Sequence, residues 1–411
     1  MSDALDAWLE RAAVRLDPVS YAPLPADAGR LRAIDAALAA ARVVFLGETN
    51  HFIHEKAEFR LWWLARLAKL GRRLVVAEEL GWSDGRDVAR YLATGDESHI
   101  DATATFGDAR HERADRDDRP TGILRASFDA YPTALFKAEQ ARFYRALRTL
   151  APARFHGFDI DAVGAGYDDL LRARSHARRV PERFWSLLDR VDGEPLAAET
   201  ARLERAMQVL EAIDDPTVAE MRDDLRSMIE TCAYTLLAHP AADYAALRPA
   251  MAFREGTLKR RVDGIVDALA DDEVLVLMAH AFHLAKDDRR IHGIGVGPGG
   301  DQVTSLGHHL VQERRLAPFS AWLVYGEGED SQPFPDLPTR ATFPPESLNR
   351  RLAARGAPLV VPVPASGVFD DDIGVGHLYS QVVPVHLPSE ADALFFVPRV
   401  SPLRGDRVVA S

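Results

Sequence analysis

The sequence predicts an α/β protein with a mostly parallel central sheet flanked by helices. Short apolar runs recur along the chain without the alternation of a half-exposed strand, which is typical of strands covered on both faces. Segments with helical spacing of apolar residues separate these runs, and the repeated strand–helix order favours βαβ units with parallel strands. The hydrophobic content, 47% of 411 residues, is sufficient for a large core.

The first half of the chain supplies three predicted strands and the helices around them. The predicted strands are 43–46, 74–77 and 154–158. The predicted helices are 2–16, 27–41, 54–70 and 134–149. Gly47 is expected to let the chain turn sharply after the first strand, and Gly71 to close the helix at 54–70. Residues 98–132 lack a clean period and are predicted to form a long, partly ordered loop.

The second half begins with an almost wholly helical region. Between about 165 and 270 the helical pattern breaks only at short segments that contain proline. The later predicted elements are strand 273–279, helix 304–315, strand 319–325, helix 346–355 and strand-like runs 358–363 and 393–397. The glycine-rich stretch 293–300 predicts a flexible loop. This order predicts an N-terminal half of the α/β core at 1–161, a helical insertion or cap at 162–270, and a C-terminal half of the core at 271–411.

Charge and composition limit the classes of partner. The formal net charge is −12 and the basic residues are scattered, so neither nucleic acid nor a membrane surface is an expected partner, and a small molecule is. No apolar stretch reaches the about 18 residues of a spanning helix, and the N-terminus lacks the features of a signal peptide, which predicts a cytoplasmic protein. The single cysteine, Cys232, is expected to be buried filler. The oligomeric state stays open.

Ionisable residues follow four of the predicted strands. They are, in chain order, Glu48 and His51, Glu79, Asp159 and Asp161, and His280 and His283. Because parallel sheets hold ligands at the carboxyl ends of their strands, these side chains are predicted to line one cleft. A carboxylate beside a histidine raises the basicity of the imidazole and fixes its tautomer, as a general base requires. The same residue types are also typical of helix caps and turns.

Two other patterns suggest different chemistry. The stretch His51-x-x-His54-Glu55 has side chains that ligate zinc or manganese, but it is not H-E-x-x-H, and a solvent-facing His54 is the simpler interpretation. Gly81–Gly85 is a literal G-x-S-x-G, followed by Asp159 and later histidines in hydrolase order. Glu78 and Glu79, the two carboxylates before Gly81, oppose the formation of a nearby oxyanion. A role as helix N-cap explains Ser83 equally well.

Three segments carry a further set of motifs. Leu46–Glu55 has the sequence LGETNHFIHE, Glu79–Gly85 has ELGWSDG, and Ala279–Lys286 has AHAFHLAK. With these segments the sequence resembles the erythromycin esterase family, whose patterns are L-G-E-x-x-H-[GF]-x-x-E, E-x-G-[FW]-x-[ED]-G and A-H-N-x-H-x-x-K. Phe52 suits the branch that contains the macrolide esterases, and Arg60 matches the family's essential arginine.

The resemblance implies a metal-independent hydrolase without a cofactor, in which a histidine activates water against a lactone or ester and no acyl-enzyme forms. It makes His51 the general base, Glu48 and Glu79 the groups that orient and polarise it, and Arg60 a donor to the developing oxyanion. It assigns the remaining positions as follows: His280 and His283 support water or substrate, and Phe52, Glu55, Asp159 and Lys286 are candidates for substrate binding.

Two departures from the family patterns bear on the substrate. Ala281 replaces the asparagine of A-H-N, and Arg248–Arg254 replaces the R-D-x-x-M-A-x-N helix. Both changes fall near the expected pocket and leave the substrate undefined. Two alternatives therefore stay open. The same site suits acid/base catalysis of a biosynthetic cyclisation, elimination or acyl transfer on a natural product, and it also suits a non-catalytic binder of a small molecule.

Overall fold

The computed structural model describes residues 2–103, 131–161, 165–175, 177–189, 191, 194–215, 218–238, 246–288, 303–333, 338–376 and 381–404. The loop predicted at 293–300 lies outside these residues, and so does the loop predicted at 98–132, apart from its two ends. None of the described helices combines the length and the apolar character that crossing a bilayer requires.

Nine of the eleven described strands form one sheet. The strands are β1 Val14–Arg15, β2 Val43–Glu48, β3 Arg73–Gly81, β4 Arg154–Asp159, β5 Glu273–His280, β6 Phe319–Glu329, β7 Arg340–Ala341, β8 Leu359–Pro362, β9 Ile373–Gly376, β10 Val382–Val385 and β11 Ala393–Val400. The order is β1-β8-β11-β6-β2-β5-β3-β4, with β7 beside β6, while β9 and β10 pair separately. β2 pairs in parallel with β5 and β6, and β6 with β11. This confirms the predicted α/β class with a mostly parallel sheet.

Helices connect the strands throughout the described chain. They are α1 Ser2–Ala12, α2 Arg32–Ala40, α3 Glu55–Lys69, α4 Trp82–Thr94, α5 Ser98–Ala102, α6 Thr133–Thr149, α7 Ala165–Ala173, α8 Glu182–Leu188, α9 Leu196–Glu211, α10 Ala219–Ala238, α11 Arg248–Asp267, α12 Leu306–His308, α13 Leu348–Ala353 and α14 Leu387–Glu390. A 3₁₀ turn at Ala28–Leu31 precedes α2, and a π-helical turn at His309–Glu313 follows α12. Gly71, at φ +77°, ends α3 as predicted.

The chain divides into two compact units. The first contains Met1–Ala77, Ala134–Arg154 and Asp263–Ser411, and the second contains Glu78–Thr133 and Phe155–Val262. Each unit has an apolar core of its own. Cys232 is wholly buried in the core of the second unit, which confirms its predicted role as filler. The predicted division at 161 and 270 stays a prediction.

Three local expectations are wrong for identifiable reasons. The first helix ends at Ala12 because Val14–Arg15 forms the edge strand β1, which pairs antiparallel with β8. The second predicted strand extends to Gly81, so the glutamates expected just past it lie within it. Gly47 makes no left-handed turn. A Cβ there would lie 3.2 Å from Ala281 Cα and 3.3 Å from Trp322 Cδ1, so close packing is what requires glycine.

Candidate active site

Glu48 occupies the carboxyl end of β2 and is wholly buried. It lies in register with His280, the last residue of β5. Arg60 of α3, itself 3% exposed, donates from Nη2 to Glu48 Oε1 at 2.8 Å. Burial alone would raise the pKa of Glu48, but the charge of Arg60 and the hydrogen bond from His51 lower it below its ordinary value. Glu48 is therefore held as an anion inside the protein.

His51 is the histidine that contacts this anion. Its Nδ1 lies 3.2 Å from Glu48 Oε1. An ionised carboxylate only accepts hydrogen bonds, so Nδ1 carries the proton and Nε2 is the basic nitrogen of the neutral ring. The side chain of His51 is 27% exposed, whereas those of Glu48 and Arg60 are buried. Arg60, Glu48 and His51, hereafter the His51 triad, thus present one basic nitrogen at the end of a buried ion pair.

The loop between β2 and α3 is fixed by two buried polar residues. Thr49 donates from Oγ1 to the carbonyl of Leu323 at 2.9 Å. Asn50 donates to Asp330 Oδ2 at 2.8 Å and accepts the backbone N–H of Phe52 at 2.8 Å. These contacts clamp the backbone on both sides of His51. This role was not predicted from the sequence. The only available signal was that two polar residues occupy unspecified positions of the motif at Leu46–Glu55.

His280 and His283 lie in the segment that leaves β5. The ring centroid of His280 is 5.0 Å from that of His51, with a tilt of 47°. The backbone N–H of Phe282 donates to His280 Nδ1 at 3.3 Å, so the neutral ring carries its proton on Nε2. His283 is also buried, and its carbonyl accepts the N–H of Gly307 at 2.7 Å. The structure therefore brings the predicted pair of strand ends, β2 and β5, together.

Phe52 and Glu55, both predicted to bind substrate, have different positions. Phe52 is buried, with its ring edge-on to that of His51 at a centroid distance of 6.0 Å. Glu55 accepts the backbone N–H of Ser401 at 2.9 Å and also the hydroxyl of the same residue. Phe52 thus forms a wall beside the base, whereas Glu55 anchors the C-terminal part of the chain.

Lys286 and His54 are engaged in ion pairs away from the His51 triad. Lys286 Nζ donates to Asp392 Oδ2 at 2.7 Å. His54 Nδ1 lies 2.7 Å from Glu139 Oε1 and its side chain is 18% exposed, so the expectation that it faces solvent is wrong. The sequence could not show this partner, which lies 85 positions away. The members of the His51-x-x-His54-Glu55 pattern therefore face separate partners.

In the second unit, Glu79 and Asp159 share one arginine. Arg254 of α11 donates to Glu79 Oε1 at 2.6 Å and to Asp159 Oδ1 at 2.8 Å. Burial would lower the pKa of Arg254, but the two carboxylates raise it well above its ordinary value. No role was predicted for this residue from the sequence. Its signal was its place at the end of Arg248–Arg254, the segment that departs from the family pattern.

Ser83 is buried near the start of α4, with 1% exposure. Its Oγ donates to Asp161 Oδ2 at 2.8 Å and its N–H to Asp161 Oδ1 at 3.0 Å. The N-cap of α4 is Gly81, so the N-cap interpretation of Ser83 is wrong. A Cβ on Gly85 would lie 1.9 Å from the backbone nitrogen of Gly157, so this close approach is why the last position of G-x-S-x-G is a glycine. The G-x-S-x-G match reflects packing at a helix start and does not form an exposed nucleophile elbow.

Comparison with known proteins identifies the fold. No family model matches the sequence, and no curated protein does. A crystal structure of a Bacillus cereus protein matches 99% of this chain and 100% of its own, with 16% identity and a TM-score of 0.69. A succinoglycan biosynthesis protein matches 98% of each chain, with 15% identity and a TM-score of 0.67. An erythromycin esterase mutant in an open conformation matches 97% of this chain and 100% of its own, with 17% identity and a TM-score of 0.58.

The chain shares its fold with these three proteins, one of which is an erythromycin esterase. The resemblance that the motifs indicated is thus matched by a similarity of structure along nearly the whole chain. At this level of identity the similarity concerns the fold, and the chemistry follows from the side chains present. In this chain the shared fold carries a buried anion, Glu48, one basic nitrogen on His51 and a second imidazole, His280, beside it. That arrangement accepts a proton and stabilises the cation that results.

Proposed function

We propose that this chain is a hydrolase that opens a lactone or cleaves a complex ester with water activated by His51, without a metal in the chemical step. The His51 triad is the observation that carries the proposal. Arg60 keeps Glu48 ionised, and Glu48 keeps the proton of His51 on Nδ1. Nε2 is then the base. When Nε2 takes a proton, the buried carboxylate stabilises the imidazolium.

The proposed reaction has two steps. His51 Nε2 removes a proton from water while the water oxygen attacks the carbonyl carbon, which gives a tetrahedral oxyanion. When this intermediate collapses, the carbon–oxygen bond of the ester breaks and His51 returns the proton to the alkoxide that leaves. His280 carries its proton on Nε2 and lies next to His51, so it is the proposed donor to the oxyanion or to the water.

Arg60 has a different proposed role from the oxyanion contact that the resemblance implies. Its guanidinium is buried, donates to Glu48, and lies 5.7 Å from the ring centroid of Phe143. We therefore assign it to the ionisation of Glu48. The resemblance also gives Glu79 and Asp159 roles in the reaction, and Arg254 holds that pair within the second unit. His283, Glu55 and Lys286 keep supporting roles in the proposal.

A second candidate function is an acid/base step in the biosynthesis of a natural product. A structural neighbour is named as a succinoglycan biosynthesis protein, and that name favours this alternative. The His51 triad would then take its proton from a substrate hydroxyl or a carbon acid instead of from water. The chemistry of the base is the same in both cases, so the fate of solvent oxygen separates the two functions.

The deciding experiment is a single turnover in ¹⁸O-labelled water with macrolide lactones and other complex esters as substrates. Mass spectrometry of the product is expected to show one solvent oxygen in the released acid. The matched His51→Asn variant, tested at the same protein concentration, is expected to give no product. A product that is isomeric with the substrate, or one that lacks solvent oxygen, would support the biosynthetic alternative and contradict the hydrolase.

A further inference from the structure

Three metal-ligating side chains meet beyond the segment that leaves β5. Asp287 and Asp288 are consecutive, and His308 is the last residue of α12. One ligand atom from each lies within 4.8 Å of the other two, and all three residues are half-buried. Within the described part of the chain, this is the one group of three or more such side chains whose ligand atoms all lie this close to one another. This group was not predicted from the sequence, because its two parts are about twenty positions apart and match no metal motif.

The contact between His308 and Asp288 has the geometry of two ligands of one ion. His308 Nδ1 is 3.0 Å from Asp288 Oδ1. This ring nitrogen nevertheless makes no hydrogen bond with any described residue, because Asp288 Oδ1 lies off the direction of the ring N–H. Two ligand atoms at right angles around an octahedral ion with bonds of about 2.1 Å are about 3 Å apart. Neighbouring ligands therefore show this distance without pointing at each other.

Ser305 fixes both parts of the group in place. Its backbone N–H donates to Asp288 Oδ2 at 3.0 Å, which leaves Oδ1 toward His308. Its hydroxyl accepts the N–H of His308 at 3.1 Å and donates to the carbonyl of Ala285 at 3.0 Å. Asp288 and His308 are therefore held by contacts that do not depend on an ion, as a preorganised site requires.

The neighbouring histidine provides an internal contrast. His309 also has two carboxylates, but Glu313 lies 2.6 Å from Nδ1 and Asp263 lies 3.0 Å from Nε2. The two carboxylates thus contact opposite nitrogens of the ring, where hydrogen bonds satisfy both. No single ion can reach all three groups. His308 and His309 are therefore adjacent residues of the same type, of which only the first belongs to a convergent group.

We propose that Asp287, Asp288 and His308 bind one divalent cation, either Zn²⁺ or Mn²⁺. One imidazole and two carboxylates suit these ions, whereas Ca²⁺ and Mg²⁺ prefer oxygen ligands alone and soft ions prefer sulfur. The N–H of Gly307, next to His308, donates to the carbonyl of His283. The ion thus fastens the segment after β5 to α12. This proposal does not rest on the hydrolase function, since the ion has a structural role.

The test uses the full-length chain, freed of metal by a chelator and then exchanged into buffer. Titration with ZnCl₂ or MnCl₂, followed by calorimetry, is expected to give one saturable site per chain. The melting temperature is expected to rise with ion concentration, because only the folded chain presents the three ligands together. Ca²⁺ and Mg²⁺ at the same concentrations are expected to give smaller shifts.

Matched variants locate the site. Asp288→Asn and His308→Gln are each expected to lower the affinity for the ion by more than about tenfold. A loss of this size is typical even for a residue that only supports a metal ligand. His309→Gln is the control and is expected to keep the affinity. If His308→Gln folds poorly, Asp287→Asn replaces it as the second variant. Absence of saturable binding, equal affinity for Ca²⁺, or an equal loss in His309→Gln would each overturn the proposal.

Discussion

Each of the two units has an arginine that bonds to a buried carboxylate, and the other groups at the two sites differ. In the first unit, Arg60 donates to Glu48 Oε1, and a histidine, His51, contacts the same oxygen. In the second unit, Arg254 lies between two carboxylates, Glu79 and Asp159, and bonds to both. In the first case the charges of the ion pair cancel and a titratable ring remains at its end. In the second case the arginine holds two anions in place.

In the proposed function, this difference separates the group that reacts, His51, from groups that hold other side chains in position. A base requires a protonation state that changes during turnover, and His51 is the member of the His51 triad with both an exposed fraction and a basic nitrogen. In the group of Arg254, Glu79 and Asp159, hereafter the Arg254 cluster, the guanidinium stays charged at any working pH and cannot serve as a base. Substitutions of the two arginines should therefore affect different quantities.

The largest effect is expected from His51→Ala. Loss of the general base should lower kcat/KM by about 10²–10⁴-fold. The fold should persist, because the side chain is 27% exposed and its removal opens no core cavity. Steady-state kinetics and a circular-dichroism melt measure the two quantities. Retention of most of the rate in a folded variant would contradict the role of His51 and would favour a different base.

Arg60→Met is expected to have the next largest effect. It leaves Glu48 as an uncompensated charge in a buried site, which should reduce the free energy of unfolding by about 3–5 kcal/mol. Loss of Arg60 should also raise the pKa of Glu48, and activity should fall to the extent that Glu48 becomes protonated and no longer holds the proton of His51 on Nδ1. The double variant Arg60→Met/Glu48→Gln should recover part of the stability. Denaturant unfolding and kcat on the same samples provide the measurement.

Arg254→Met serves as the comparison for Arg60→Met. It should destabilise the second unit through the two carboxylates that lose their cation, while its effect on kcat should be the smaller of the two. Equal losses of kcat at matched stability would show that the Arg254 cluster takes part in the chemical step. That result would remove the distinction drawn between the two units.

The pH dependence of stability offers a finer test of the same ion pair. The pKa of Glu48 is lowered in the folded chain from the usual 4.5, so its contribution to stability is present above about pH 4.5 and is lost as the pH falls through the lower folded value. Glu48→Gln removes this dependence. Unfolding free energies between pH 7 and acid pH should therefore fall less steeply in Glu48→Gln than in the wild type. Parallel slopes would indicate that the pKa of Glu48 is the same in the folded and unfolded chains, which would contradict the proposed effect of Arg60.

Local signals in the sequence were sufficient for most of the fold. The strands β2 and β5 appear as uninterrupted apolar runs, and their predicted limits agree with the structure within about two residues. The pair β9 and β10 was missed, because these strands are short and contain Gly374 and Pro384, which argue against strands. A pattern of period two or 3.6 cannot identify an element that tertiary contacts alone stabilise.

The residues of the candidate site were predictable only where they are close in sequence or follow strands that a parallel sheet places side by side. Glu48 and His51 are three positions apart, and His280 follows a strand whose pairing with β2 the parallel sheet implies. The partners of Arg254 and His308 come from distant segments, and their pairing depends on a register that no local pattern contains. Lys286 is a candidate for substrate binding on the family resemblance alone, and its bond to Asp392 in the structure was not predictable from a local pattern.

The smallest effect on activity is expected from Ser83→Ala, which tests the rival nucleophile. The hydroxyl of Ser83 donates to a buried carboxylate, Asp161, so its removal should cost about 1–3 kcal/mol of stability. Turnover should remain, because the proposed reaction forms no acyl-enzyme and uses the nitrogen of His51 as its base. A fluorophosphonate probe should fail to label the wild type, since a side chain that is 1% exposed is not accessible to it. A labelled Ser83, together with loss of turnover in Ser83→Ala, would make the serine the nucleophile and would leave the His51 triad without its proposed function.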